Sequence, residues 1–131
     1  MSKLTPKALA DFEMLKARHS SAVLTEFPSG AALVTLDLKL PNGWSEPKII
    51  LRFIMPNGYP VAAPDGFWVE PDLYVNGKPP RAAGEYKHQI PEASITGHRF
   101  SWHFDGGRWS PNTDNLITWL RSCHERLEKI E

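Results

Sequence analysis

Apolar residues recur at helical spacing at both ends of the chain and at strand spacing between them. Near the start, Leu9, Phe12 and Leu15 (or Met14) fall on one helical face. Thr5 can cap that helix and Pro6 suits its first position, so a helix is predicted that ends near His19-Ser20-Ser21. The runs Ala22–Phe27 and Ala31–Leu40 flank the turn triplet Pro28-Ser29-Gly30, the pattern of an antiparallel hairpin. In the second run Val34, Leu36, Leu38 and Leu40 alternate with Leu33, Thr35, Asp37 and Lys39, which predicts a strand with one wet face. Pro41-Asn42-Gly43 is a further turn, and Lys48–Met55 is apolar enough for a central strand. Three prolines between Pro56 and Pro64 remove donors and fix dihedrals, so that stretch holds no regular element. Phe67-Trp68-Val69 predicts a short fourth strand stopping at Pro71. Residues 72–99 show no period and read as one long loop, a kind of segment that often carries function. Last, Leu116, Leu120, Cys123, Leu127 and Ile130 form the stripe of an amphipathic helix, with Asn112 or Thr113 as its cap. The expected architecture is α+β: a four-stranded antiparallel meander with an N-terminal and a C-terminal helix, residues 1–131 forming one domain.

Charge and composition narrow the setting. Fifteen Lys and Arg balance fifteen Asp and Glu, so the basic footprint of a nucleic-acid or acidic-membrane binder is missing and neither partner is expected. A single Cys makes no internal disulfide and no thiolate zinc cluster. No apolar run approaches the roughly 20 residues that span a bilayer, and Met-Ser-Lys-Leu-Thr-Pro is no signal peptide, so a soluble cytoplasmic protein is expected. Twelve Pro and five Trp in 131 residues favour a sheet with structured connections over a helical bundle.

The order of features is specific. A central strand runs into Tyr59-Pro60 and Pro64, an aromatic strand at Phe67-Trp68 follows, and after the long loop Trp109-Ser110-Pro111 precedes an amphipathic helix. This order resembles the ubiquitin-conjugating enzyme fold, with its Tyr-Pro loop after the third strand and its Trp-Ser-Pro tripeptide at the last helix. The wording Pro64-Asp65-Gly66-Phe67-Trp68 and Ser101-Trp102-His103-Phe104 is similar to the prokaryotic group called family E. The resemblance covers nearly the whole chain. It implies a role in a bacterial ubiquitin-like conjugation pathway, with a ubiquitin-like modifier and an adenylating, ThiF-like activating enzyme as partners and a JAB-type peptidase in the same pathway. It also implies that the first helix, whose polar face carries Lys3, Lys7, Lys16 and Arg18, meets the activating enzyme.

One departure shapes the chemistry. In eukaryotic members of the resembled family the catalytic Cys lies about eight residues before the Trp of Trp-Ser-Pro, and that count back from Trp109 reaches Ser101. The His-Pro-Asn tripeptide of the family is also missing; His88-Gln89-Ile90-Pro91 occupies roughly its region. Thioester transfer through Cys is therefore excluded at this position. Ser101 can instead carry an acyl group as an oxyester if a base removes its proton and donors hold the oxyanion. In an extended segment His103 shares a face with Ser101, and an imidazole is the commonest general base, which makes it the candidate base. Asp105 continues the same parity and can orient the imidazole, Gly106-Gly107 can present backbone N–H groups or simply turn, and His98 is a supporting acid, base or oxyanion donor. His88, His98 and His103 lack the carboxylate or thiolate spacing of a zinc site, so no metal is expected. Cys123 sits on the helix stripe, where a free Cys behaves as a small buried hydrophobe. Trp102 and Trp109 are expected to pack in the interior.

Two functions from different classes follow. In the first the chain is a conjugating carrier with Ser101 as acyl acceptor, needing no cofactor because the activating enzyme consumes the ATP and this chain has no Gly-rich phosphate loop. In the second it is a catalytically inactive variant of the fold, with Ser101 a small polar residue in a dead site, that binds a modifier or an activating enzyme.

Overall fold

The computed structural model describes residues 3–81 and 85–131, with residues 105 and 106 described by their backbone alone. Helix α1 spans Pro6–Arg18. Thr5 caps it as the sequence indicates, its Oγ1 accepting the Ala8 N–H at 3.1 Å. The buried face is Ala8, Asp11, Phe12 and Leu15, while Leu9 and Met14 are exposed.

The sheet has six antiparallel strands, not four: β1 (Val23–Glu26), β2 (Ala32–Lys39), β3 (Lys48–Met55), β4 (Phe67–Glu70), β5 (His88–Gln89) and β6 (Thr96–Phe100). The spatial order is β1-β2-β3-β4-β6-β5, so the expected meander of four is present and β6 extends it beyond β4. β2 and β3 pair along their whole length, from Ala32 opposite Met55 to Lys39 opposite Lys48. The two extra strands come from the segment expected to be a loop. β6 pairs Phe100 with Phe67 and His98 with Val69, yet Phe100 is its one large apolar residue, and so period-2 patterning does not reveal it. Gly97 lets it close on its neighbour: a Cβ there would stand 3.2 Å from the Trp68 Cβ.

Both helices cover one face of the sheet. Helix α2 spans Leu116–Glu128, and its Leu116, Leu120, Cys123 and Leu127 pack with Phe12 and Leu15 of α1 against Leu36, Leu51, Phe53 and Phe67. Trp119 is fully buried with its ring edge-on to Phe53 at 6.2 Å. The cap of α2 is Asn115, not Asn112 or Thr113. Its Oδ1 accepts the N–H groups of Ile117 and Thr118 while Thr118 Oγ1 accepts the Asn115 N–H, a closed capping box. Thr113 instead donates its N–H to the Ser110 carbonyl in the turn that precedes the helix. The other face of the sheet is not wholly wet, because Leu33, Trp68 and Ile90 form a second small core with Phe27, Ile54, Ala93 and Ile95 packed against it. Arg126 is buried near the end of α2, where its guanidinium donates to the carbonyls of Arg81, Lys129 and Glu131. Among the described residues no helix is long and apolar enough to cross a membrane.

Candidate functional site

Beyond β6 the chain leaves the sheet as Ser101-Trp102-His103 and enters a 3₁₀ turn at Phe104–Gly107. The alternation expected for an extended segment holds: Ser101 and His103 are exposed and Trp102 is half-buried. The Trp102 indole N–H donates to Ser122 Oγ at 2.8 Å, which anchors the segment to α2. Phe104 meets Trp109 edge-on at 5.1 Å, and Trp109 in turn packs on Tyr59 at 5.9 Å and donates its indole N–H to the Pro60 carbonyl at 2.7 Å. The Tyr59-Pro60 loop and Trp109 are thus two halves of one contact that supports the candidate loop from below. Tyr59 is fixed from its other end, where its hydroxyl donates to Asp11 Oδ2 at 2.6 Å. Burial, and then the bond to that carboxylate, push its phenol far above the usual range, so it stays protonated.

A groove of about 720 Å³ lies between residues 101–104 and the polar side of α2, where Thr118, Arg121 and Glu125 form the opposite wall. Ser101 and His103 line it together. The imidazole of His103 is held by a carboxylate: its Nδ1 lies 2.7 Å from Asp65 Oδ1. Asp65 reaches it because the next residue, Gly66, has φ +72° and donates its N–H to the Trp102 carbonyl at 2.8 Å. A carboxylate on Nδ1 fixes that nitrogen as the protonated one and leaves Nε2 with a free lone pair. No hydrogen bond joins His103 to Ser101.

The remaining sequence candidates fall elsewhere. The side chain of Asp105 lies outside the described residues. His98 is not brought to the groove. It is fully buried on β6, stacked on Tyr86 at 4.1 Å and tilted against Phe100, with Nδ1 accepting the Leu73 N–H at 3.1 Å. Burial lowers its pKa, partly opposed by Asp72. His88 sits on β5, where its Nδ1 accepts the Trp68 indole N–H at 3.1 Å. The three imidazoles are therefore apart, and among the described residues no group of three or more His, Cys, Asp or Glu is placed to hold a metal ion. Cys123 is fully buried, and burial pushes its thiol well above the usual range, the reverse of an activated nucleophile. Asp65 was not singled out by spacing. Its signal is the Pro64-Asp65-Gly66 turn, whose partner lies across the sheet and becomes visible only once β4 and β6 pair.

The family model described as Prokaryotic E2 family E matches residues 10–130. No curated protein and no solved structure matches the chain.

Proposed function

The chain belongs to prokaryotic E2 family E, and from that premise, with its conjugating-enzyme-like role, we propose that it is an acyl carrier that takes a ubiquitin-like modifier from an adenylating activating enzyme onto Ser101 Oγ. The observation that carries this reading is the exposed Ser101 beside His103, whose Nδ1 is already held by Asp65. In the reaction Ser101 Oγ attacks the activated C-terminal carbonyl of the modifier. A C–O ester bond forms, the bond to the activating enzyme's thiol or to adenylate breaks, and the serine proton passes through His103 Nε2 to that leaving group. An acceptor amine then attacks the ester, an amide forms, and Oγ recovers a proton. Asp65 stabilises the imidazolium formed in each half-reaction, and the groove along α2 receives the extended modifier tail.

A charging assay tests it: this protein, its activating enzyme, the modifier and ATP, resolved with thiol and with mild base or hydroxylamine. The expected adduct resists thiol, dissolves in base and is missing in Ser101→Ala. A thiol-sensitive adduct that vanishes in Cys123→Ala would place the carrier elsewhere. The absence of a hydrogen bond between Ser101 and His103 favours a second reading, a module of the same fold that binds the modifier or activating enzyme without chemistry. Undiminished binding with no adduct would select it.

A further inference from the structure

The last turn of α1 and one flank of α2 enclose a second cavity, of about 310 Å³. Its floor is aliphatic: Leu38 of β2 with Ile117 and Leu120 of α2. Its rim carries Arg18, His19, Arg121 and His124, and no carboxylate lines it. Its fixed charge is the two guanidiniums of Arg18 and Arg121, in a chain whose fifteen Lys and Arg otherwise balance fifteen Asp and Glu. Burial first, and then the neighbouring Arg18 and His124, hold the pKa of His19 below its ordinary value. Neither Arg18 nor Arg121 forms an ion pair with a described residue, and Glu128 meets His124 alone, at 2.9 Å.

The lining selects the occupant. The two guanidiniums call for an anionic group, and a bare inorganic anion would leave the aliphatic floor uncovered. A peptide that presents carboxylates beside an aliphatic side chain satisfies both parts. Arg121 also lines the Ser101 groove, so a segment held here ends next to the carrier loop. We propose that this cavity docks an acidic, Leu- or Ile-containing segment of a protein partner, its carboxylates on Arg18 and Arg121 and its aliphatic side chain on Leu38, Ile117 and Leu120. This docking is independent of acyl transfer and would persist in Ser101→Ala.

The probe is a fluorescein-labelled peptide of repeated Leu-Glu-Glu, followed by anisotropy against the full chain. The expected result is saturable binding that weakens about tenfold in Arg18→Glu, a rim charge reversal, and is lost when every Glu of the peptide is replaced by Gln or every Leu by Gly. Thermal melting confirms that Arg18→Glu, a surface change, remains folded. Equal binding of the Gln peptide, equal binding by Arg18→Glu, or complete displacement by inorganic phosphate at matched ionic strength would each overturn the proposal. So would an Arg18-dependent preference for anionic lipid vesicles over the peptide. If charging fails while this binding holds, only the carrier reading falls.

Discussion

His103 Nδ1 lies 2.7 Å from Asp65 Oδ1, although the two residues come from opposite ends of paired strands, one before β4 and one after β6. The pairing is prepared by the backbone. β4 and β6 run antiparallel with Phe67 opposite Phe100, and one step beyond that pair the Gly66 N–H meets the Trp102 carbonyl. Both side chains are mostly exposed, and a surface pair of this kind adds little to stability. Its consequence is orientation of the imidazole.

The pair gives a graded prediction for charging. His103→Ala should slow adduct formation by about a hundredfold or more, the usual size of a lost general base. Asp65→Asn should slow it less, by roughly tenfold, because the imidazole remains but its tautomer is no longer fixed. Both variants should stay within about 0.5 kcal/mol of the parent in urea unfolding. Equal charging rates for all three proteins would remove His103 from the reaction.

The bond from Tyr59 to Asp11 should be among the most costly single contacts to delete. Tyr59 and Asp11 are both buried, and Lys7 Nζ supplies the second contact of that carboxylate at 2.8 Å. Tyr59→Phe leaves a carboxylate oxygen buried without its donor, a loss of about 1–3 kcal/mol. Asp11→Ala should cost a similar amount, and the double variant should cost clearly less than the sum. Strict additivity in urea unfolding would show that the two groups are not coupled.

The sequence was most informative where one period ran uninterrupted. β3 occupies Lys48–Met55 as its apolar run indicated, and the stripe of α2 from Leu116 to Leu127 is buried as spaced. Ser101, Trp102 and His103 also alternate as expected, since an extended backbone leaves little choice of side. What escaped were features owed to partners distant along the chain. β6 is a strand because β4 and β5 bond to it, and its residues, Thr96 to Phe100, carry too little apolar pattern to announce that. His98 looked available because it stands three residues from Ser101; pairing on β6 instead turns it into the interior against Tyr86. The α2 cap failed for a local reason. Three consecutive polar residues and Asn115 all have capping side chains, and only Asn115 has Thr118 at the reciprocal position.

Ser122 is the tie between the candidate loop and α2, and its hydroxyl accepts from the Trp102 indole at 2.8 Å. Ser122→Ala removes that acceptor from a half-buried N–H and should destabilise the fold by about 1 kcal/mol. The same change should lower charging more than stability alone accounts for, because residues 101–103 lose their anchor. An unfolding midpoint shift with unchanged charging at saturating modifier would confine Ser122 to a structural role.

Stability should fall on mild acidification, with His98 a principal source. Its Nδ1 accepts the Leu73 N–H, so the neutral ring carries its proton on Nε2, and protonating Nδ1 would set two donors against each other. Burial lowers the folded pKa of His98, while an unfolded His titrates near 6.5. The unfolded chain therefore takes up a proton that the fold resists. The contribution of His98 is fully present above pH 6.5 or so and is lost as pH drops toward the folded value, with a slope of at most about 1.4 kcal/mol per pH unit. His19, whose pKa is lowered by burial and by Arg18 and His124, acts in the same direction. His98→Asn keeps an acceptor for Leu73 but does not titrate. Urea unfolding at pH 7.5, 6.5 and 5.5 should give a smaller decline for that variant than for the parent, and parallel declines would assign the effect to other groups.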